Sequence, residues 1–119
     1  PSVGMTKYLN FSEGRLSEII FQAGEELMWG NIVMGHEVRL IRSCPANFEY
    51  WIMGDSSAYK EIQDSYKRLL PADSKPYTPI FGALIGRIVK SPTDGFGADY
   101  DNAFSAREII SASPTGRCK

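Results

Sequence analysis

The sequence has little cysteine and histidine: two cysteines, Cys44 and Cys118, and a single histidine, His36, among 119 residues. A structural zinc site needs more ligands than two distant cysteines and one histidine. A Ser-His-Asp or Cys-His arrangement is also excluded, because one histidine would have to serve every such site. The two cysteines either pair or remain free thiols, and the residues alone leave both alternatives open. Pairing would place the chain in an oxidising compartment.

An excess of charge of one sign is also missing. The chain has 13 basic and 14 acidic residues and a formal net charge of −1, so no general attraction to nucleic acid or anionic lipid is expected. No apolar run approaches the roughly 20 residues that cross a bilayer, and residues 1–8 lack the hydrophobic segment of a signal peptide. We expect one domain over residues 1–119. Residues 1–5 are expected to be flexible or added to the chain; in the second case Met5 is the candidate native start and residues 1–4 precede it.

Alternating and β-branched runs predict strands along most of the chain. The clearest is a hairpin in which residues 38–42 and 48–53 flank a connection with turn-forming residues. The stretch 16–28 is ambiguous, since Gly24 interrupts both a helical and a strand pattern, and a strand is favoured in its first half. Further strands are predicted at residues 6–12, 77–90 and 104–113.

One helix is predicted near residues 57–70. Asp55 and the two serines that follow it are N-cap candidates, and Pro71 ends the pattern. The apolar residues at helical spacing predict a single buried stripe; they are Ala58, Ile62, Tyr66 and Leu69.

Two glycines indicate how the long run 77–90 is shaped. Gly82 and Gly86 predict bends or bulges, and Pro79 argues against a regular strand at its beginning. Five or six strands with one helix predict a mainly β fold. We expect a small, OB-like, partly closed β-barrel.

The order of these elements is similar to that of a known family. A strand leads to Cys44, a second strand and a helix of the form Tyr59-x-x-Ile62-x-x-x-Tyr66 follow, and Gly82-x-x-x-Gly86-Arg87 lies in the next strand. A late strand then ends a few residues before Cys118. In this order and in the placement of the cysteines, residues 36–118 resemble the OB-like C-terminal domain of the NlpE/CutF envelope lipoproteins, a family of copper homeostasis and surface sensing.

That resemblance implies a barrel closed by a disulfide between Cys44 and Cys118. It also implies a location in the bacterial periplasm or on an outer-membrane anchor, in a lipoprotein with a role in stress response. The family's N-terminal CxxC domain has no counterpart here, so its metal chemistry is not implied. We therefore expect a non-enzymatic module that binds or senses an envelope protein or another envelope component.

Exposed aromatic and sulfur-containing side chains are the first candidates for such binding, because loops and strands on a rigid scaffold carry recognition. The hairpin contributes Tyr50, Trp51 and Met53. The glycine- and aspartate-rich loop near residues 91–102 contributes Phe96 and Tyr100.

Two metal sites are chemically conceivable. Asp94, Asp99 and Asp101 supply oxygen ligands of the kind that calcium binds, although a solvated loop is the favoured interpretation. Met34 and His36 are suited to copper, although methionines commonly fill gaps in a core. Neither set amounts to a complete motif.

The OB-like fold raises nucleic acid as an alternative ligand by analogy. Arg39, Arg42 and Arg87 would have to share a face with the aromatic side chains of the hairpin. Glu37 and Glu49 oppose this arrangement, so nucleic acid is disfavoured as the partner. The alternative function is a cytosolic interaction or single-strand-binding module with free cysteines.

Overall fold

The computed structural model of this chain describes residues 5–10, 16–35, 37–44, 47–113 and 116, with the backbone alone for residues 5–10 and 16–20. In this part of the chain, strands predominate and one α-helix is present. The elements are β1 Met5–Asn10, β2 Leu16–Phe21, β3 Glu26–Met34, β4 Arg39–Ser43, β5 Glu49–Met53, α1 Ser56–Leu69, β6 Ile80–Lys90, a 3-10 helix Phe96–Asp99 and β7 Asn102–Ser113.

Five strands close into a barrel in the order β3-β4-β5-β7-β6. Strands β3, β4 and β5 form an antiparallel meander, β7 pairs in parallel with β5, and β6 joins β7 to β3. The helix lies between the third and fourth barrel strands. This confirms the predicted mainly β, OB-like barrel with one helix. The barrel is closed rather than partly closed, because β6 pairs with β3 over residues 80–86 and with β7 over residues 81–90.

Glycines allow the strands of the barrel to approach each other closely. A Cβ atom at Gly86 would collide with the carbonyl oxygen of Ser105, and one at Gly30 would collide with that of Arg42. The pairing of β6 with β7 shifts register twice, once between Ile85 and Gly86. Such irregularities increase strand twist and allow a sheet to close. The predicted bend at Gly86 is therefore confirmed.

The core lies inside the barrel and under the helix. Its fully buried side chains come from every barrel strand, and include Ile32, Ile41, Ile52, Leu84 and Phe104. The helix adds Ala58, Ile62 and Tyr66 to the core, as its apolar stripe predicts, and Leu69 is partly buried. Burial of this apolar surface is the main driving force for the fold.

The helix begins and ends where the sequence predicts. The Asp55 carboxylate accepts a hydrogen bond of 2.8 Å from the backbone N–H of Ala58, which satisfies a donor of the first turn. At the other end, the Tyr66 hydroxyl donates to the carbonyl of Thr78 over 2.5 Å. This bond ties the helix to the segment that enters β6, and Pro79 precedes that strand as expected.

Strands β1 and β2 pair with each other in a separate two-stranded sheet. They confirm the strand predicted at residues 6–12 and the strand favoured in the first half of 16–28. The end of β2 reaches the barrel, because the buried Phe21 packs with Ile85. The predicted turn at Glu13-Gly14 lies outside the described residues.

Strand β3 is the element that the sequence pattern did not predict. Its last three residues, Ile32, Val33 and Met34, are all buried, so the alternation typical of a half-buried strand is absent there. Gly30 interrupts its centre.

Within the described residues, no helix is long and apolar enough to cross a membrane.

Candidate functional site

A groove of about 930 Å³ lies on one side of the barrel. The β3–β4 connection, the turn and strand that follow β4, and the β6–β7 loop form its walls. Its lining residues are Glu37, Val38, Asn47, Phe48, Glu49, Tyr50, Phe96, Asp99, Tyr100, Asp101 and Asn102. In OB-folds the second and third barrel strands, with the first–second and fourth–fifth loops, form the binding face. The groove occupies the corresponding position here.

The hairpin wall is held by its backbone. The N–H of Ser43 donates to the carbonyl of Phe48 over 2.8 Å, and the N–H of Phe48 donates to the Ser43 hydroxyl over 3.2 Å. Asn47 adopts a left-handed conformation with φ of 68°, which asparagine tolerates better than most residues. The turn therefore presents Phe48 outward, and its side chain is 64% exposed.

The opposite wall is the β6–β7 loop, which packs on Trp51. A Cβ atom at Gly97 would lie 2.7 Å from the indole ring, so only glycine permits this approach. The Tyr100 ring lies 5.5 Å from Trp51, centre to centre, at a tilt of 48°. Phe96 is not covered in this way, and 57% of it is exposed. The β6–β7 loop is thus positioned by its packing against the Trp51 ring.

Three of the five predicted binding residues meet in the groove: Tyr50, Phe96 and Tyr100. Trp51 is only 7% exposed and does not line it. Met53 is half-buried at the end of β5 and does not line it either. The prediction combined side chains from both faces of one strand, whereas alternate residues of a strand point to opposite faces.

Sequence reasoning missed Phe48, whose ring is the most exposed of the large apolar side chains described. The signal was present, because Phe48 and Tyr50 are two residues apart and therefore share a face. It also missed Glu37, Val38, Asn47 and Asn102. Asn47 belongs to the hairpin turn, Glu37 and Val38 precede β4, and Asn102 begins β7, which reaches β5 only in the folded barrel.

The groove is acidic. Among the described residues, four carboxylates line it and no lysine or arginine does. Arg42, from the adjacent strand, binds Glu49 through two hydrogen bonds of 2.5 and 3.1 Å. Burial raises the pKa of Tyr100, and the negative charges of Glu49 and Asp99 raise it further, whereas Arg42 lowers it. The field at this end of the groove is therefore negative.

The three arginines considered for nucleic acid have other partners. The Arg39 guanidinium lies 5.0 Å from the ring centre of Trp51 and 4.8 Å from that of Tyr59. Arg42 binds Glu49, and Arg87 donates two hydrogen bonds to the carbonyl of Ala23. They do not form a basic groove with the aromatic side chains of the hairpin. The arrangement considered for nucleic-acid binding is therefore wrong.

The predicted calcium site does not assemble. Among the described residues, no group of three or more His, Cys, Asp or Glu is placed to hold a metal ion. Asp99 and Asp101 line the groove, but Asp94 does not, so the calcium set is not brought together. Met34 is buried in the core, as expected of a gap-filling methionine. His36 lies outside the described residues.

Cys118 also lies outside the described residues, so its pairing with Cys44 stays a prediction. Comparison of the chain with family models, curated proteins and solved structures finds no match. The fold and the groove define a class: a closed, OB-like barrel with an aromatic and acidic groove on the face that binds ligands in OB-folds.

Proposed function

We propose that this chain is a non-enzymatic binding module of the bacterial cell envelope, part of a lipoprotein, and that its groove holds a segment of another envelope component. The barrel would act as a rigid scaffold and the groove as the recognition site. This role needs no catalytic group, since affinity would come from apolar burial and from side-chain contacts along the groove.

The observation that carries the proposal is the exposure of Phe48 and Phe96 in the groove, at 64% and 57%. An aromatic ring exposed to water has a less favourable free energy than a buried one. Apolar side chains grouped in a concave surface are typical of binding sites. Backbone hydrogen bonds join Ser43 to Phe48 in one wall and Tyr100 to Gly97 in the other, and such preorganisation lowers the conformational entropy lost on binding.

The envelope location is supported by the resemblance of residues 36–118 to the NlpE/CutF domain and by the predicted pairing of Cys44 with Cys118. The described part of the chain contains no free cysteine. A disulfide closing so long a loop would persist only in an oxidising compartment.

Site-specific photocrosslinking in bacterial cells tests the proposal. A photoreactive phenylalanine analogue replaces Phe48 in one variant and Phe96 in another. Ile88 is the control position, because it is an exposed apolar residue outside the groove. We expect the same adduct from positions 48 and 96, in the envelope fraction, and none from 88. Absence of adducts at 48 and 96, or recovery of the chain from the cytosol, would overturn the proposal.

The position of the groove favours one alternative, since OB-folds bind oligonucleotides on this face. The alternative is a cytosolic single-strand-binding module with free cysteines. It requires salt-dependent binding to oligonucleotides. Four lining carboxylates would repel phosphates, so we expect no binding even at low salt, and salt-dependent binding there would favour the alternative.

A further inference from the structure

The charge of the groove identifies the chemistry of its occupant. Glu37, Asp99 and Asp101 make no ion pair within the described part of the chain. The fourth carboxylate, Glu49, is paired with Arg42. The described residues therefore neutralise the negative charge of the lining only in part.

We propose that the groove binds a basic segment of a partner protein, with lysine or arginine side chains placed beside these carboxylates and over the aromatic rings. This inference rests on the proposed function of the groove as a binding site. Opposite charge gives an interface its specificity and speeds association. Aromatic faces attract cations in addition to burying the apolar stems of such side chains.

The aromatic lining suits cations in particular. Phe48, Tyr50, Phe96 and Tyr100 contribute rings from both walls. The protein already uses this interaction, because Arg39 lies within 5.0 Å of the ring centres of both Trp51 and Tyr59. Burial raises the pKa of Tyr100, and the charges of Glu49 and Asp99 raise it further. A purely apolar segment would leave the carboxylates desolvated without partners, which is costly.

The barrel also restricts how such a segment binds. Tyr50, which lines the groove, is paired with β4 on one side and with β7 on the other, so β5 offers no free edge there for strand addition. Recognition in the groove must therefore rely on side chains. A groove of about 930 Å³ has room for several of them, which favours an extended segment over a single residue.

Isothermal titration calorimetry with defined peptides tests the inference on the full chain. The probe is a short lysine-rich peptide with interspersed glycines, and the comparison probes replace lysine with glutamate or serine. A neutral oligosaccharide of glucose is a further probe. We expect that only the lysine peptide binds, and that its affinity falls as salt is added. Equal binding of the serine peptide or of the oligosaccharide would overturn the inference.

Charge variants locate the binding. The double variant Asp99→Asn/Asp101→Asn keeps the shape of the groove, and we expect about tenfold weaker binding, or about 1.4 kcal/mol. Glu26→Gln/Asp73→Asn is the matched control, because it removes two exposed carboxylates outside the groove; we expect less than about a twofold effect from these screened charges. Arg42→Gln frees Glu49 and should tighten binding. Equal losses in the two double variants would contradict the inference.

The crosslinking and titration experiments together distinguish failure of this inference from failure of the proposed function. If crosslinks form at positions 48 and 96 but no basic peptide binds, the groove is a binding site and the basic occupant is wrong. If crosslinks are absent as well, both proposals fail.

Discussion

The guanidinium of Arg107 donates hydrogen bonds of 2.9 and 3.0 Å to the carboxylate of Glu25, which is 82 residues away in the sequence. The Glu25 side chain is 1% exposed and also accepts a hydrogen bond of 2.8 Å from the N–H of Gln22. Arg87 holds the same turn through the carbonyl of Ala23. The turn between β2 and β3 is thereby fixed to both β6 and β7.

The Glu25 contacts predict a dependence of stability on pH. Burial raises the pKa of the Glu25 carboxyl, but hydrogen bonds from Arg107 and Gln22 and the charges of Arg107 and Arg87 lower it below 4.5 overall. A lowered pKa in the folded state stabilises the fold above the unfolded value. That stabilisation is lost as the pH falls through the folded value.

Glu25→Gln should therefore lower the free energy of unfolding by about 1.5 to 3 kcal/mol at neutral pH. The difference from the parent chain should shrink as the pH falls below about 4.5. Urea unfolding across an acid series measures it, with Glu26→Gln, an exposed neighbour, as the control. A difference that stays constant with pH would contradict the role of the ion pair.

Gly97→Ala should disturb the loop wall of the groove. The added methyl group would lie 2.7 Å from the Trp51 ring and 2.8 Å from Pro92, so the loop must shift. We expect a loss of about 1 to 3 kcal/mol in unfolding free energy and a changed near-ultraviolet circular dichroism signal from the ring. Ala98→Ser, an exposed change in the same 3-10 helix, should alter neither. An unchanged signal in Gly97→Ala would show that the loop does not rest on Trp51.

Asp55→Ala should destabilise the chain by about 1 kcal/mol, because the first turn of α1 loses its side-chain acceptor. Asp55→Asn keeps an acceptor oxygen and should restore most of the loss. Chemical unfolding of both variants measures the effect. Equal losses from alanine and asparagine would mean that the charge of Asp55, rather than its capping bond, matters.

The predicted disulfide is tested by alkylation and intact mass. The purified, unreduced chain should take up no alkyl groups, and reduction should allow two to be added, one at Cys44 and one at Cys118. Closing so long a loop would stabilise the fold by about 4 kcal/mol, so reduction should also lower the unfolding temperature. Two groups added without reduction would instead support the cytosolic alternative.

Much of the fold is written locally. The Asp55 cap and the spacing of Ala58, Ile62 and Tyr66 define the helix, because they act within a few turns of chain. The hairpin β4–β5 follows from alternation around a turn. The sequence alone therefore determined the single helix, most strands and the OB-like class.

Tertiary structure decided the rest. β3 exists because the closed barrel pairs it with β4 and β6, whereas its own pattern is broken at Gly30. Trp51 is a binding residue in the sequence-based prediction, but the β6–β7 loop covers it in the folded chain. Phe48, Phe96 and Asp101 become one acidic, aromatic groove only when barrel closure brings distant connections together. Local sequence determines which face of a strand a side chain occupies, but what covers that face depends on residues far along the chain.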